Sequence, residues 1–117
     1  MVGDFKGLKV WQRAHALTLD VYAFTRRFPS SEKYGLTSQL RRAAASIPAN
    51  IAESRGRIGH RDQERFLHIA QGSARELESH LLLSRDLLLM RRDTADLALA
   101  RVAEVQRMLA ALIYKKL

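Results

Sequence analysis

The sequence predicts an all-α protein: a single domain over residues 1–117 that folds as an up-down-up-down antiparallel four-helix bundle. Apolar residues recur at three- and four-residue steps in four separate segments, which is the period of an amphipathic helix. Only short stretches interrupt the pattern, two of them with proline, glycine or serine, and short connections make consecutive helices antiparallel neighbours. With 117 residues, 47% of them hydrophobic, the chain is the size of one domain with one core.

The first helix has a wide apolar side. Its main row follows steps of four and three: Val10, Ala14, Leu17, Val21, Phe24 and Phe28. A second row lies one step around the helix and provides contact for another neighbour: Leu8, Trp11, His15, Thr18 and Tyr22. Pro29 ends the helix, because the residue before a proline disfavours helical backbone, and the serines that follow suit a turn. The break is predicted at residues 29–31.

The second helix follows the segment EKYGLTSQ. We expect Gly35 to close a short turn over residues 32–34, and Thr37 to cap the helix through its hydroxyl. A helix that starts at Ser31 and contains Gly35 is an alternative that the pattern leaves open. Gly56 or Gly59 supplies the C-terminal stop.

Pro48 lies in the middle of the second helix. The core-facing row keeps its register on both sides of the proline: Leu36, Leu40, Ala43, Ile47, Ile51, Ser54 and Ile58. We therefore predict one helix that is bent at Pro48, not two helices. Proline cannot donate to the carbonyl of Ala44, and an interior proline costs roughly 3 kcal/mol. Asn50 and Glu53 are the expected hydrogen-bond partners of the groups that the bend frees.

The third and fourth helices complete the bundle. The third is predicted over residues 61–90, with Phe66, Ala70, Ser73, Leu77, Leu81, Ser84 and Leu88 on one side. Asp93 is expected to cap the fourth helix, which ends near Tyr114 and carries the row Val102, Val105, Leu109 and Leu112.

A row of small residues follows the second helix at steps of four, three and four: Ala45, Ala49, Ala52 and Gly56. Small side chains let another helix approach closely. The row is therefore predicted to pack against another helix, either inside the same bundle or in another subunit.

The composition limits the possible functions. The chain has no cysteine, so it has neither a disulfide framework nor a thiolate metal site. The start MVGDFKGLKVW lacks the apolar run of a signal peptide, and the apolar window 81–90 is shorter than the ~20 residues of a membrane span. We expect a cytoplasmic protein with no membrane association.

No catalytic or metal site is visible in the sequence. The Glu-x-x-His signature of di-iron bundles is absent, since Glu64 and His68, like Glu76 and His80, are four residues apart. No zinc-protease, phosphate-loop, nucleophile-elbow or haem-attachment motif occurs, and His15 suits an interface better than general-base catalysis. We expect no enzyme activity, no metal and no cofactor.

The positive charge indicates a polyanionic partner. The net charge is +8, and it is spread as +3 over residues 1–30, +3 over 31–59, −1 over 60–90 and +3 over 91–117. The candidate phosphate contacts are arginines: Arg41, Arg42, Arg55 and Arg57, with support from Arg13, Arg26 and Arg27. A solvated polar face with an Arg57–Glu53 pair is the alternative for this side of the second helix. The eight aromatic residues are mostly at core-type positions, so no stacking platform is predicted.

One segment carries a family resemblance. YGLTSQLRRAAASIPANIAE, with RGR shortly after it, closely resembles the signature of the four-helix-bundle proteins of the 23S rRNA intervening sequence. The resemblance continues upstream through LKVWQRAHALTLDVYAFTRRFPSSEKYGL and downstream through RFLHIAQGSARELESHLLLSRDL, whereas the fourth helix is similar only in character. Two departures are Ser54, where the family usually has glycine, and His60, where a serine cap is more common.

The resemblance implies an up-down bundle that assembles into rings of five. Relatives in the family include the accessory variability determinant proteins of diversity-generating retroelements, which associate with a reverse transcriptase and nucleic acid. The leading hypothesis is a non-enzymatic homopentamer whose basic surface binds RNA or DNA with little sequence preference. The alternative is a scaffold for another protein, such as a reverse transcriptase, in which the arginines meet acidic residues at subunit or partner surfaces.

Overall fold

The computed structural model describes residues 4–115, and four α-helices make up most of this part of the chain. They are α1 (Lys9–Thr25), α2 (Leu36–Arg55), α3 (His60–Asp86) and α4 (Arg92–Ile113). Two short 3₁₀ helices, Phe5–Gly7 and Ser30–Glu32, precede α1 and α2. No strand occurs within residues 4–115, so the all-α prediction is confirmed.

The helices pack in a closed cycle. Helix α1 packs against α2, α2 against α3, α3 against α4, and α4 against α1, while within the described residues the Cα atoms of the diagonal pairs stay more than 8 Å apart. The connections 56–59 and 87–91 are far shorter than the helices that they join, which is the arrangement that an up-down-up-down order requires. Fully buried aliphatic residues from all four helices fill the centre: Leu17, Val21, Leu40, Ile47, Ile51, Leu77, Leu81, Val102, Val105 and Leu109.

Helix α2 begins after a turn, as one of the two alternatives predicted. Gly35 precedes Leu36, the first residue of the helix, so a helix that runs from Ser31 through Gly35 is wrong. The predicted cap is also wrong, because Thr37 lies buried in the first turn and the backbone N–H of Leu36 donates to Glu32 Oε1 at 3.3 Å. Glu32 therefore satisfies the helix start from the preceding 3₁₀ turn.

Helix α2 runs through Pro48 without a break, which confirms a single helix. The carbonyl oxygen of Ala44, which has no N–H from Pro48, accepts a hydrogen bond from Thr18 Oγ1 of α1 at 3.0 Å. The predicted role of Asn50 and Glu53 is wrong: Asn50 Nδ2 donates to the Ser46 carbonyl at 2.8 Å, and Glu53 pairs with an arginine. The reason is geometric, because the Ala44 carbonyl faces α1 and lies within reach of that helix.

The predicted core row of α2 is confirmed except for its last member, Ile58. Leu36, Leu40, Ala43, Ile47, Ile51 and Ser54 are all buried. Ile58 is 96% exposed, because the helix ends at Arg55 and Ile58 lies in the connection to α3. The helical spacing therefore predicts buried positions only as far as the helix extends.

Helix α3 ends four residues before the predicted position. Leu88 has a positive φ of 60°, which takes the chain out of the helix after Asp86. The N–H of Leu88 donates to the carbonyl of Arg85, and the N–H of Leu89 donates to that of Ser84, both at 3.0 Å. This pair of bonds is the Schellman ending, which is usually built with glycine at the left-handed position.

Helix α4 begins before its predicted cap. Arg92 is the first helical residue, so Asp93 lies inside the first turn instead of preceding it. The Asp93 carboxylate accepts from Arg91, and its Oδ1 also accepts the N–H of Thr94 at 2.8 Å. The hydrogen bond from Arg91, followed by the one from Thr94, lowers the pKa of Asp93 from its usual value.

Candidate nucleic-acid interface

A surface cleft of about 400 Å³ lies where the end of α1 meets the start of α2. Two tyrosines, two hydroxyl residues and three cations line it: Tyr22, Tyr34, Thr37, Ser38, Lys33, Arg41 and Arg42. We call it the basic cleft. Its position follows from the chain, since the connection 26–35 brings the last turn of α1 beside the first turns of α2.

Arg41 is the most firmly held cation of the basic cleft. Its Nε donates to Thr25 Oγ1 at 2.9 Å, and its Nη2 donates to the Tyr22 carbonyl at 3.4 Å. The guanidinium also lies 4.6 Å from the centre of the Tyr22 ring. A guanidinium has five N–H donors, so three remain available to an anion after these two bonds are made. Arg41 is therefore both a link between α1 and α2 and an oriented donor.

The other cations around the basic cleft are less constrained. Arg42 Nη2 donates to the neutral Gln39 Oε1 at 2.9 Å, and Lys33 Nζ lies 5.5 Å from the Tyr34 ring centre. Arg26 and Arg27 are exposed and follow directly after Thr25, the residue that Arg41 contacts. Within residues 4–115 neither these four cations nor Arg41 forms an ion pair with a carboxylate. The only carboxylate in this connection, Glu32, points to the start of α2.

The remaining predicted arginines lie elsewhere and differ in their partners. Arg57 pairs with Glu53 at 2.6 Å, lies 3.7 Å from Asp62 and stacks 4.7 Å from the Phe66 ring centre. Arg13 pairs with Glu104 of α4 at 3.5 Å. Such pairs compensate the positive charge that would otherwise attract a phosphate.

Arg55 is exposed, but it is far from the basic cleft. It follows Arg41 by 14 residues of α2, about 20 Å at 1.5 Å per residue. Arg55 lines a separate cavity of about 170 Å³, together with His60, Glu64 and Lys115. The structure thus brings Arg26, Arg27, Arg41 and Arg42 to one end of the bundle, and it separates Arg13, Arg55 and Arg57 from them.

The sequence-based prediction missed Lys33 and Tyr34. It placed most aromatic residues in the core, whereas Phe28 is the only one of the eight that is buried, and all eight lie in the described part of the chain. Tyr34 is 88% exposed. A usable signal was present, because both residues fall in the turn predicted before Gly35, and turn residues seldom enter the core.

The row of small residues lies at the surface of α2. Ala49 and Gly56 are exposed, and Ala45 and Ala52 are half-buried, so none of the four belongs to the core. On a helical wheel the row lies opposite the buried row of Leu40, Ile47 and Ile51. Residues that pack in the centre of their own bundle lie on the buried side of the helix, so this row does not pack there.

Metal ions and membranes would need other kinds of site. Within residues 4–115 no group of three or more histidine, aspartate or glutamate side chains is arranged to hold a metal ion. No helix of that part of the chain combines the length and apolar character that crossing a membrane requires.

Fold and cleft together define the class of protein: a small all-α bundle with a cluster of cations at one end that form no ion pair within residues 4–115. The chain belongs to the 23S rRNA-intervening sequence protein family, whose model matches residues 6–111. No curated protein matches the chain.

A solved structure shows the same fold. It is a protein with unknown function from the S23 ribosomal protein family of Bacteroides thetaiotaomicron. The sequences are 22% identical, the TM-score is 0.82, and the match covers 90% of this chain and 98% of that one. Neither this structure nor the family description indicates a catalytic family or fold.

Proposed function

We propose that this protein is a non-enzymatic, cytoplasmic bundle that binds RNA or DNA weakly and with little sequence preference. The binding surface is the basic cleft together with Arg26 and Arg27. One observation carries the proposal: five cations gather at one end of the bundle, and none of them pairs with a carboxylate within the described residues. A phosphate backbone supplies the missing negative charge and releases its counterions on binding.

The distribution of ion pairs supports this choice of surface. Along the sides of the bundle, arginines meet acidic partners on the neighbouring helix, as Arg13 meets Glu104 and Arg85 meets Asp96. At the basic cleft the partners of Arg41 and Arg42 are neutral oxygens. Like charges held together without compensation raise the local positive potential, which attracts polyanions from solution.

The proposal is tested by fluorescence anisotropy with a labelled 20-base-pair duplex at several salt concentrations. With three to five phosphate contacts, we expect affinity to fall about 40- to 500-fold between 50 and 200 mM salt. Arg42→Glu and Lys33→Glu should weaken binding and flatten the salt dependence. The matched control is Arg75→Glu, because Arg75 is an exposed cation of α3 and has no ion pair within the described residues. Absence of binding at low salt, or affinity that does not change with salt, would contradict the proposal.

A second candidate function is a scaffold for another protein, such as a reverse transcriptase. The observation that favours it is the structural use of Arg41, whose two hydrogen bonds tie α2 to the last turn of α1. Reversal of both Arg41 and Arg42 to glutamate separates the two functions. Loss of the assembly would identify the pair as structural, and loss of nucleic-acid binding from an intact assembly would identify it as a contact surface.

We further propose that the protein forms a homopentamer through the outer side of α2. The size of the ring rests on the family resemblance, and the surface is the row Ala45, Ala49, Ala52 and Gly56, where a second helix can approach without displacing long side chains. Light scattering at micromolar concentration should report the pentamer, and Ala49→Arg should dissociate it. A monomeric wild-type protein would refute this proposal.

A further inference from the structure

We infer that the basic cleft prefers single-stranded nucleic acid, with one base stacked on the ring of Tyr34. This inference rests on the proposed function and adds the class of ligand. It starts from Tyr34, a large ring that is 88% exposed beside three cations of the same cleft. An aromatic side chain with this exposure does not contribute to the hydrophobic core.

The ring of Tyr34 is available on one face. Lys33 Nζ lies 5.5 Å from its centre, a distance that suits a cation–π contact with one face. With 88% of the residue exposed, the ring keeps surface that a base can reach. Tyr22 lines the same cleft with Arg41 at 4.6 Å from its own ring centre. Each tyrosine is thus held beside a cation, which combines a stacking surface with a phosphate contact.

The ligand class follows from how bases are exposed. In a duplex each base is already stacked between its neighbours, so its faces are closed to a protein side chain. In a single strand a base can turn outward, stack on an aromatic ring and leave its phosphates to lysine and arginine. Stacking accepts any base, because every base has a π-face. Low sequence preference is therefore expected of this cleft.

The experiment compares three labelled probes: a 12-nucleotide oligothymidine, an abasic strand of the same length, and a duplex of the same length. Tyr34→Ala should weaken binding of oligothymidine about tenfold, within the range measured for one stacked base. It should leave the abasic strand and the duplex unchanged within about twofold. Tyr34→Phe keeps the ring and should bind oligothymidine as the wild-type protein does.

Tyr114→Ala is the matched control, because Tyr114 is also an exposed tyrosine, 58% accessible, at the end of α4. Equal loss of affinity for oligothymidine and the abasic strand in Tyr34→Ala would overturn the stacking inference. So would a wild-type affinity for the abasic strand equal to that for oligothymidine. In either case, weaker binding of Arg42→Glu to all three probes would leave the proposed function standing. No binding of any probe at low salt would remove both.

Discussion

A single hydroxyl explains how α2 tolerates Pro48. The carbonyl of Ala44 is buried, and an unsatisfied buried acceptor costs about 1–3 kcal/mol. Thr18 Oγ1 lies 3.0 Å from this carbonyl and 2.8 Å from that of Ala14 in its own helix, so its single proton is shared between the two acceptors. The proline and the threonine are therefore one structural unit, formed by residues 30 positions apart in the sequence.

Replacement of Thr18 by valine should destabilise the protein. The shape of the side chain is kept while the donor to Ala44 is lost, so we expect a decrease of about 1–2 kcal/mol in the free energy of unfolding, measured by urea denaturation. In the Pro48→Ala background the restored N–H can serve Ala44, and the same substitution should cost less there. Equal costs in the two backgrounds would show that Thr18 acts only through packing.

The connection between α3 and α4 contains Leu88, a leucine in a strained left-handed backbone conformation. Left-handed backbone costs an L-residue about 1–2 kcal/mol, and glycine is the usual occupant. Leu88 adopts this conformation while 86% of its surface is exposed, so it gains little burial in return. The next residue, Leu89, packs against the core and holds the turn in place.

Leu88→Gly should stabilise the protein. The relief of backbone strain exceeds the added entropy of glycine in the unfolded chain, and we expect a net gain of about 0.5–1 kcal/mol. Leu87→Gly is the control, because Leu87 is also exposed but has ordinary helical backbone with φ −80°. That variant should be less stable than the wild-type protein in the same thermal melt. A loss of stability in Leu88→Gly would mean that the leucine side chain makes a contact that outweighs the strain.

At the scale of the whole molecule, charge compensation is uneven. The first and last helices are joined by Arg13 with Glu104 and by Arg101 with Asp20, an alternating pair of contacts that fixes their register. The cations of the basic cleft have no such partners in the part of the chain that the structure describes, and they repel one another. Such uncompensated charge lowers stability, which is the cost expected of the proposed nucleic-acid surface.

Thermal stability should therefore depend on salt in a site-specific way. We expect the melting temperature of the wild-type protein to rise between about 20 and 200 mM sodium chloride, because salt screens the repulsion. Arg42→Glu should be more stable than wild type at low salt, by about 0.5 kcal/mol, and should depend less on salt. Arg101→Glu breaks a pair with Asp20 and should be less stable. If Arg42→Glu loses as much stability as Arg101→Glu, the cleft is not repulsive.

The sequence predicted features that rest on a repeating pattern of apolar residues. It did not predict features that rest on a single contact or on the conformation of a single residue. Helical periodicity predicted the buried rows of α1 and α2, because the core selects apolar residues at every turn. It did not predict the partner of Ala44, which lies on another helix, or the end of α3, where Leu88 takes a conformation that its residue type disfavours. In the candidate interface, Arg41 and Arg42 were singled out by charge, and the Arg57–Glu53 pair was predicted from its four-residue spacing. The pairing of Arg13 with Glu104 depends on packing between α1 and α4, which the sequence does not show.

The contact between α1 and α4 also indicates that the order of the helices along the chain could be changed. Residues at the start of α1 and the end of α4 line one shared hollow: Lys9 and Val10 of α1 with the preceding Leu8, and Met108, Ala111 and Leu112 of α4. The first and last helices thus begin and end side by side. A short linker between the start of α1 and the end of α4 would join the four helices into a closed cycle, and we expect a chain opened at another connection to adopt the same fold.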